Sequence, residues 1–156
     1  MQHDILLQTW NQTHTFVKQT LGMLSDDNLG YKLHPNTSSA GFWLQHMAES
    51  GVLLLNVFFG ANTTFSGVTL NGAHDEGQTG NTAFINGLWE QFDLHVQTAL
   101  QQASANPHMH TYDSFLGPKT AAEALAIINY HPCYHLGQAT LALKKGRVWE
   151  PALVAA

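Results

Sequence analysis

Apolar residues recur at three- and four-residue steps in four stretches of the chain, and the intervals between them are polar and rich in Gly, Pro, Asn and Ser. From Gln2 to about Leu24 the series runs Leu6, Trp10, Phe16, Val17, Leu21 and Leu24, with Thr13 in the missing place, which predicts a first amphipathic helix. Ser39 to Phe59 predicts a second, stopped by Gly60. On it Phe42, Trp43, Leu53, Leu54 and Val57 form one apolar arc, and Gln45, Glu49 and Asn56 a narrow polar one. Thr82 to Gln102 resumes the spacing through Ile85, Leu88, Trp89, Phe92, Val96, Ala99 and Leu100, a third helix.

The fourth, Thr120 to Gly146, has both ends marked. Thr120 and Glu123 have the spacing of a capping box, in which each side chain accepts the other's backbone N–H. Lys144 and Lys145 suit the negative end of the helix dipole, and Gly146 is expected to stop the helix in a left-handed conformation. About 25 residues between these caps rise close to 40 Å.

Three connections of unequal length join the helices. Ser25 to Ser39 carries turn residues, Ser104 to Lys119 reads as a loop around Pro107, Gly117 and Pro118, and Asn62 to Asn81 is polar, Gly-rich and without period. A connection as long as the last is characteristic of a lid, a partner contact or a mobile segment, with Val68 and Leu70 offering a short extended piece. The whole predicts an all-α four-helix bundle with a long connection between helices 2 and 3, formed as a single domain over residues 1–156. No internal repeat is present, and Val148 and Trp149 of the tail are expected to pack back on the bundle.

Charge narrows the function. A net charge of −5 with six Lys and Arg leaves no basic surface for nucleic acid, since the one cationic cluster, Lys144, Lys145 and Arg147, belongs to a helix end. A single cysteine, Cys133, excludes an internal disulfide framework and suits a reducing, cytoplasmic location. The start, MQHDILLQTW, is unlike a basic leader with an apolar run, and Gly51 to Gly60 is far shorter than the roughly 20 residues a bilayer requires, so no membrane span is expected.

Ten histidines are spread along the chain. His131 and His135 lie four apart on helix 4 and project about 40° from one another, so two neutral imidazoles can converge on one point. That spacing alone fits metal ligation and a hydrogen-bonded pair on a half-buried face equally well. Pro132 removes one N–H and presses on the carbonyl of Ile128, so a kink or widened turn is expected there. His46 falls in the apolar arc of helix 2, where a ring nitrogen needs a partner. His14 sits off its stripe and His34 in a loop before Pro35; His74 has no readable role. His95 flanks the stripe of helix 3 and is the reserve ligand, whereas His108 and His110 read as a solvated turn.

The run HPCYHLGQ from His131 to Gln138, together with FWLQHMAES around His46, resembles the DinB/YfiT-like family, and the likeness extends over nearly the whole chain in helix order. The resemblance implies a four-helix bundle, often a homodimer, with a divalent metal held by His46, His131 and His135. Three imidazoles on two rigid helices leave coordination positions open, as catalytic rather than structural zinc sites do. Zinc and nickel suit such a donor set best, with iron or manganese as further candidates.

Gln138, one turn beyond His135, is a candidate to orient a ligand ring, with packing as the plain alternative. Glu49, one turn after His46, is a candidate acceptor or proton carrier, although an ordinary solvated carboxylate is the simpler expectation. Cys133 projects about 200° from His131 and is expected to be a buried thiol, and Tyr134 is a candidate pocket wall. What the family implies is a metal-dependent hydrolase or an enzyme joining a low-molecular-weight thiol to an electrophile, acting on a small molecule. The competing expectation is a metal- or ligand-binding dimeric bundle without turnover, related to stress.

Overall fold

The computed structural model describes residues 2–103, 111–112 and 114–149. Four helices account for most of them: α1 (Gln2–Leu21), α2 (Ala40–Phe59), α3 (Thr82–Ala103) and α4 (Ala121–Lys145). A two-residue antiparallel ladder joins β1 (Thr111–Tyr112) to β2 (Lys119–Thr120), inside the segment expected to be loop only. The all-α four-helix bundle predicted from periodicity is the fold observed.

Local chemistry sets the helix ends. Ser39 accepts the N–H of Phe42 at 3.2 Å, and Gly60 closes α2 in the left-handed region (φ 61°), its N–H bonded to Asn56 O at 3.1 Å. Asn81 caps α3 by accepting from Phe84 N–H at 2.8 Å, while Asp26 takes the N–H of Thr82 at 2.8 Å. The capping box of Thr120 and Glu123 is formed. Helix α1 stops at Leu21 rather than Leu24, its last carbonyls satisfied by the N–H groups of Gly22, Met23 and Leu24 in a closing turn.

Gly146 stops α4 by a different means from the one expected. Its φ of −79° is an extended conformation, and glycine is required there by close approach, since a Cβ would lie 2.4 Å from Ala142 O and 3.0 Å from Lys32 O. The chain crosses itself at this point, with Lys32 and Arg147 exchanging backbone hydrogen bonds at 3.0 and 3.2 Å. Trp149 packs back as expected and donates to Lys32 O at 3.0 Å, but Val148 is exposed.

Helix α2 packs most extensively on α4 and also on α3, and α1 lies against α4 and α3. The α1/α2 and α3/α4 pairs therefore occupy the diagonals of the bundle, and two of the three connections cross it. The core at the centre includes Trp10, Val17, Leu44, Met47, Leu55, Phe58, Ile85, Trp89, Phe92 and Ile128. Gly51 lets α2 and α3 close on one another: a Cβ there would lie 2.2–2.5 Å from three ring atoms of Phe92.

The connection between α2 and α3 is fastened along its length, chiefly to the polar arc of α2. Asn56 forms a two-way pair with the backbone of Thr63 (2.8 and 2.9 Å), Glu49 accepts from Thr69, and Gln45 accepts the N–H of Gly80 at 2.8 Å. Asp75 accepts the N–H of Ser39 at 2.7 Å and pairs with Lys32 at 3.1 Å. No strand forms around Val68 and Leu70.

Candidate metal centre

Three imidazoles meet where α2 and α4 pack together. His46 comes from α2, and His131 and His135 come from successive turns of α4, which runs unbroken through Pro132. Ring centroids are 5.2 Å apart for His46 and His131, 5.1 Å for His46 and His135, and 4.9 Å for His131 and His135. Each ring offers one nitrogen, and the three nitrogens lie within 4.8 Å of one another.

Each ring is set by its neighbours. His46 Nδ1–H donates to Thr69 O at 2.9 Å, and His135 Nδ1–H donates to Gln138 Oε1 at 2.7 Å. Those two bonds fix the tautomer in which Nε2 carries a lone pair. Trp43 stacks on His135 (centroids 4.5 Å, 17°), Tyr134 meets it edge-on at 4.7 Å, and Phe42 lies parallel to His46 at 6.1 Å. Ser50 Oγ lies 3.4 Å from His46 Nε2.

Burial, followed by repulsion from His135 and His46, pulls the pKa of His131 down to about 4. Burial also lowers His135, against an opposing bond from Gln138 and with help from His46. Both rings are therefore neutral at neutral pH, the state in which a nitrogen can ligate. His131 Nε2 is buried with no hydrogen-bond partner among the described residues. An orphaned polar atom of this kind is costly to bury; in the tautomer that leaves Nε2 unprotonated, a cation at the focus of three imidazoles would satisfy it. The donor set fits a divalent ion, and the group can hold one.

The remaining candidates fall elsewhere. Glu49 is fully buried, contrary to the expectation of a solvated carboxylate: Oε1 accepts from Gln45 Nε2 at 2.7 Å, and Oε2 accepts both the N–H and the hydroxyl of Thr69. It reaches His46 only through Thr69. His95 bonds Thr63 Oγ at 2.8 Å and takes no place in the group. His14 of α1 pairs with Asp93 of α3 at 3.1 Å, and His108 and His110 lie outside the described residues.

Cys133 is exposed rather than buried: it lies on α4 where that helix faces α1, with its Sγ 3.5 Å from Thr13 Oγ. Three contributors escaped sequence reasoning. Thr69 acts through its backbone, which no side-chain pattern reveals. Ser50, four residues after His46, shares its helix face, and that spacing could have found it. Trp43 falls on the arc of His46 by periodicity, but its stacking on His135 of α4 is a tertiary contact that periodicity does not give.

Fold and site together define a four-helix bundle carrying histidines from its second and fourth helices at one point. The DinB superfamily matches residues 5–139, and the chain belongs to that superfamily. Among solved structures, the chain is similar to a DinB-like protein from Bacillus cereus ATCC 10987, with a TM-score of 0.69, 15% identity, and coverage of 94% of this chain and 95% of that one. At that identity the likeness speaks for the fold alone. The comparison with curated proteins gives no match. No helix among the described residues is long and apolar enough to cross a membrane.

Proposed function

We propose that the protein is a divalent-metal-dependent enzyme in which His46, His131 and His135 hold zinc or nickel, and that it acts on a small molecule as a hydrolase or as a thiol transferase. The observation that carries this reading is the buried Nε2 of His131, unpartnered among the described residues, beside two imidazoles whose Nδ1–H groups are already engaged. When bound, such an ion supplies Lewis-acid polarisation and lowers the pKa of water or a thiol towards neutrality.

The chain's own residues do the rest. Gln138 and Thr69 hold two rings in the ligating tautomer, and Trp43, Phe42 and Tyr134 limit solvent around them. A cleft of about 280 Å³ is lined by Trp43 and Gln138, which touch His135, and by Leu33, Thr37 and Ala142; none of the three histidines lines it, so it lies beside the group rather than over it. Among the described residues the histidine group includes no carboxylate, and Glu49 is committed to Gln45 and Thr69. A water or a thiol that ionises near neutrality on the ion needs no protein base, so either can serve as nucleophile without a carboxylate.

The same lack of a carboxylate favours the second reading, a metal-binding bundle without turnover. Metal analysis of protein purified without an affinity tag, followed by assays on thiols with electrophiles and on esters and amides, separates the two. His135→Ala is expected to abolish stoichiometric metal under both readings and to remove turnover under the first. Full metal retention in this variant would contradict the assignment of His135.

A further inference from the structure

We infer that Glu49 and Thr69 are positioning residues for His46, so that the connection between α2 and α3 is a working part of the metal site; this rests on the metal reading above. All three hydrogen-bonding groups of Thr69 are used. Its N–H and hydroxyl both go to Glu49 Oε2, and its carbonyl accepts from His46 Nδ1 at 2.9 Å. Thr69 is 1% exposed and Glu49 0%, so water competes for none of these bonds.

The consequence is a fixed tautomer. A neutral imidazole carries its proton on either nitrogen, and the bond made by one decides which lone pair the other offers. With Nδ1–H held by Thr69 O, Nε2 of His46 presents a lone pair on the side of Ser50 and the other two rings. Glu49 stands one turn beyond His46 on α2 and fixes residue 69 through both donors, so the carbonyl keeps its aim. The other attachments of the connection, Asn56 to Thr63 and Gln45 to Gly80, fasten the same segment without touching a histidine. Among the described residues, Glu49 alone combines fastening of the connection with orientation of a ligand.

Glu49→Gln tests this. The amide has one acceptor where the carboxylate has two, so either Gln45 or Thr69 is left facing an N–H group. Zinc is titrated against a chromophoric competitor, and the nitrogen shifts of His46 are read by NMR in metal-free protein. Wild type is expected to bind one zinc and to hold His46 with Nδ1 protonated. Glu49→Gln is expected to weaken zinc by about 10- to 100-fold, as loss of an outer hydrogen-bond partner commonly does, and to mix the His46 tautomers. Asn56→Ala, which frees the connection at Thr63, is expected to leave both readouts unchanged.

Equal effects from Asn56→Ala and Glu49→Gln, or an unchanged His46 tautomer in Glu49→Gln, would overturn the positioning role. If Glu49→Gln fails to fold, Thr69→Val removes one of the two bonds and is read in its place. Failure of wild type to bind zinc, nickel or any other divalent ion sinks the metal reading, and the tautomer of His46 in metal-free protein then decides the positioning role alone.

Discussion

His131 is the residue in the site whose protonation is most constrained. Folded, it takes up a proton only near pH 4, because burial and two adjacent imidazoles oppose the charge; unfolded, it does so near 6.5. Between those values the unfolded chain binds more protons than the folded one, so stability is full above about pH 6.5 and is lost as pH falls towards 4. His135 acts in the same direction. In chelator, the loss specific to His131 between pH 7 and pH 5 is expected to be about 1 kcal/mol, after allowance for a ring that is still partly solvated. Urea unfolding of wild type and His131→Leu at the two pH values checks this: the variant should lose less than wild type on acidification, and an equal or larger loss would contradict the assignment.

At the scale of elements, α2 carries two functions on neighbouring arcs, aiming His46 at α4 and pinning the long connection through Gln45, Glu49 and Asn56. Its approach to α3 depends on Gly51. Replacing Gly51 by Ala should raise helix propensity by about 1 kcal/mol but drive a methyl into the buried ring of Phe92, an overpacking that costs typically about 1–3 kcal/mol. The expected outcome is a net loss of stability in urea unfolding; a more stable Gly51→Ala protein would show that the two helices have room to spare.

The four helices were legible because each buries a stripe at helical period and three of them begin on Ser39, Asn81 or Thr120, residues that accept from the backbone. His131 and His135 were legible as a converging pair from spacing alone, while the choice of His46 as third member came through family likeness. The polar arc of α2 misled: periodicity marks Glu49 as outward, and only a tertiary partner, the backbone of Thr69, puts it inside. Gly146 was read as a conformational stop when the reason for glycine is the crossing strand at Lys32, a contact 114 residues away in sequence that local rules do not see.

Over the whole molecule, the diagonal placement of consecutive helices puts α2 and α4 side by side and so brings ligands from distant parts of the chain together. It also leaves the outer face of α4 exposed, with Tyr130, Tyr134 and Leu141 at 66%, 60% and 49% exposure beside Phe16 of α1 at 49%. An apolar patch of this kind suits a second subunit, and a homodimer through it is our proposal. Light scattering should give twice the chain mass for wild type and a monomer for Leu141→Glu; a monomeric wild type would remove the proposal.

The central claim is that His46, His131 and His135 share one ion. An anomalous-scattering map from crystals of untagged protein, recorded on both sides of the zinc and nickel absorption edges, tests it most directly. The account predicts one peak per chain at roughly 2.0–2.1 Å from a nitrogen of each of the three rings. A peak bound elsewhere, or three rings that meet around no metal in protein supplied with zinc and nickel, would contradict it.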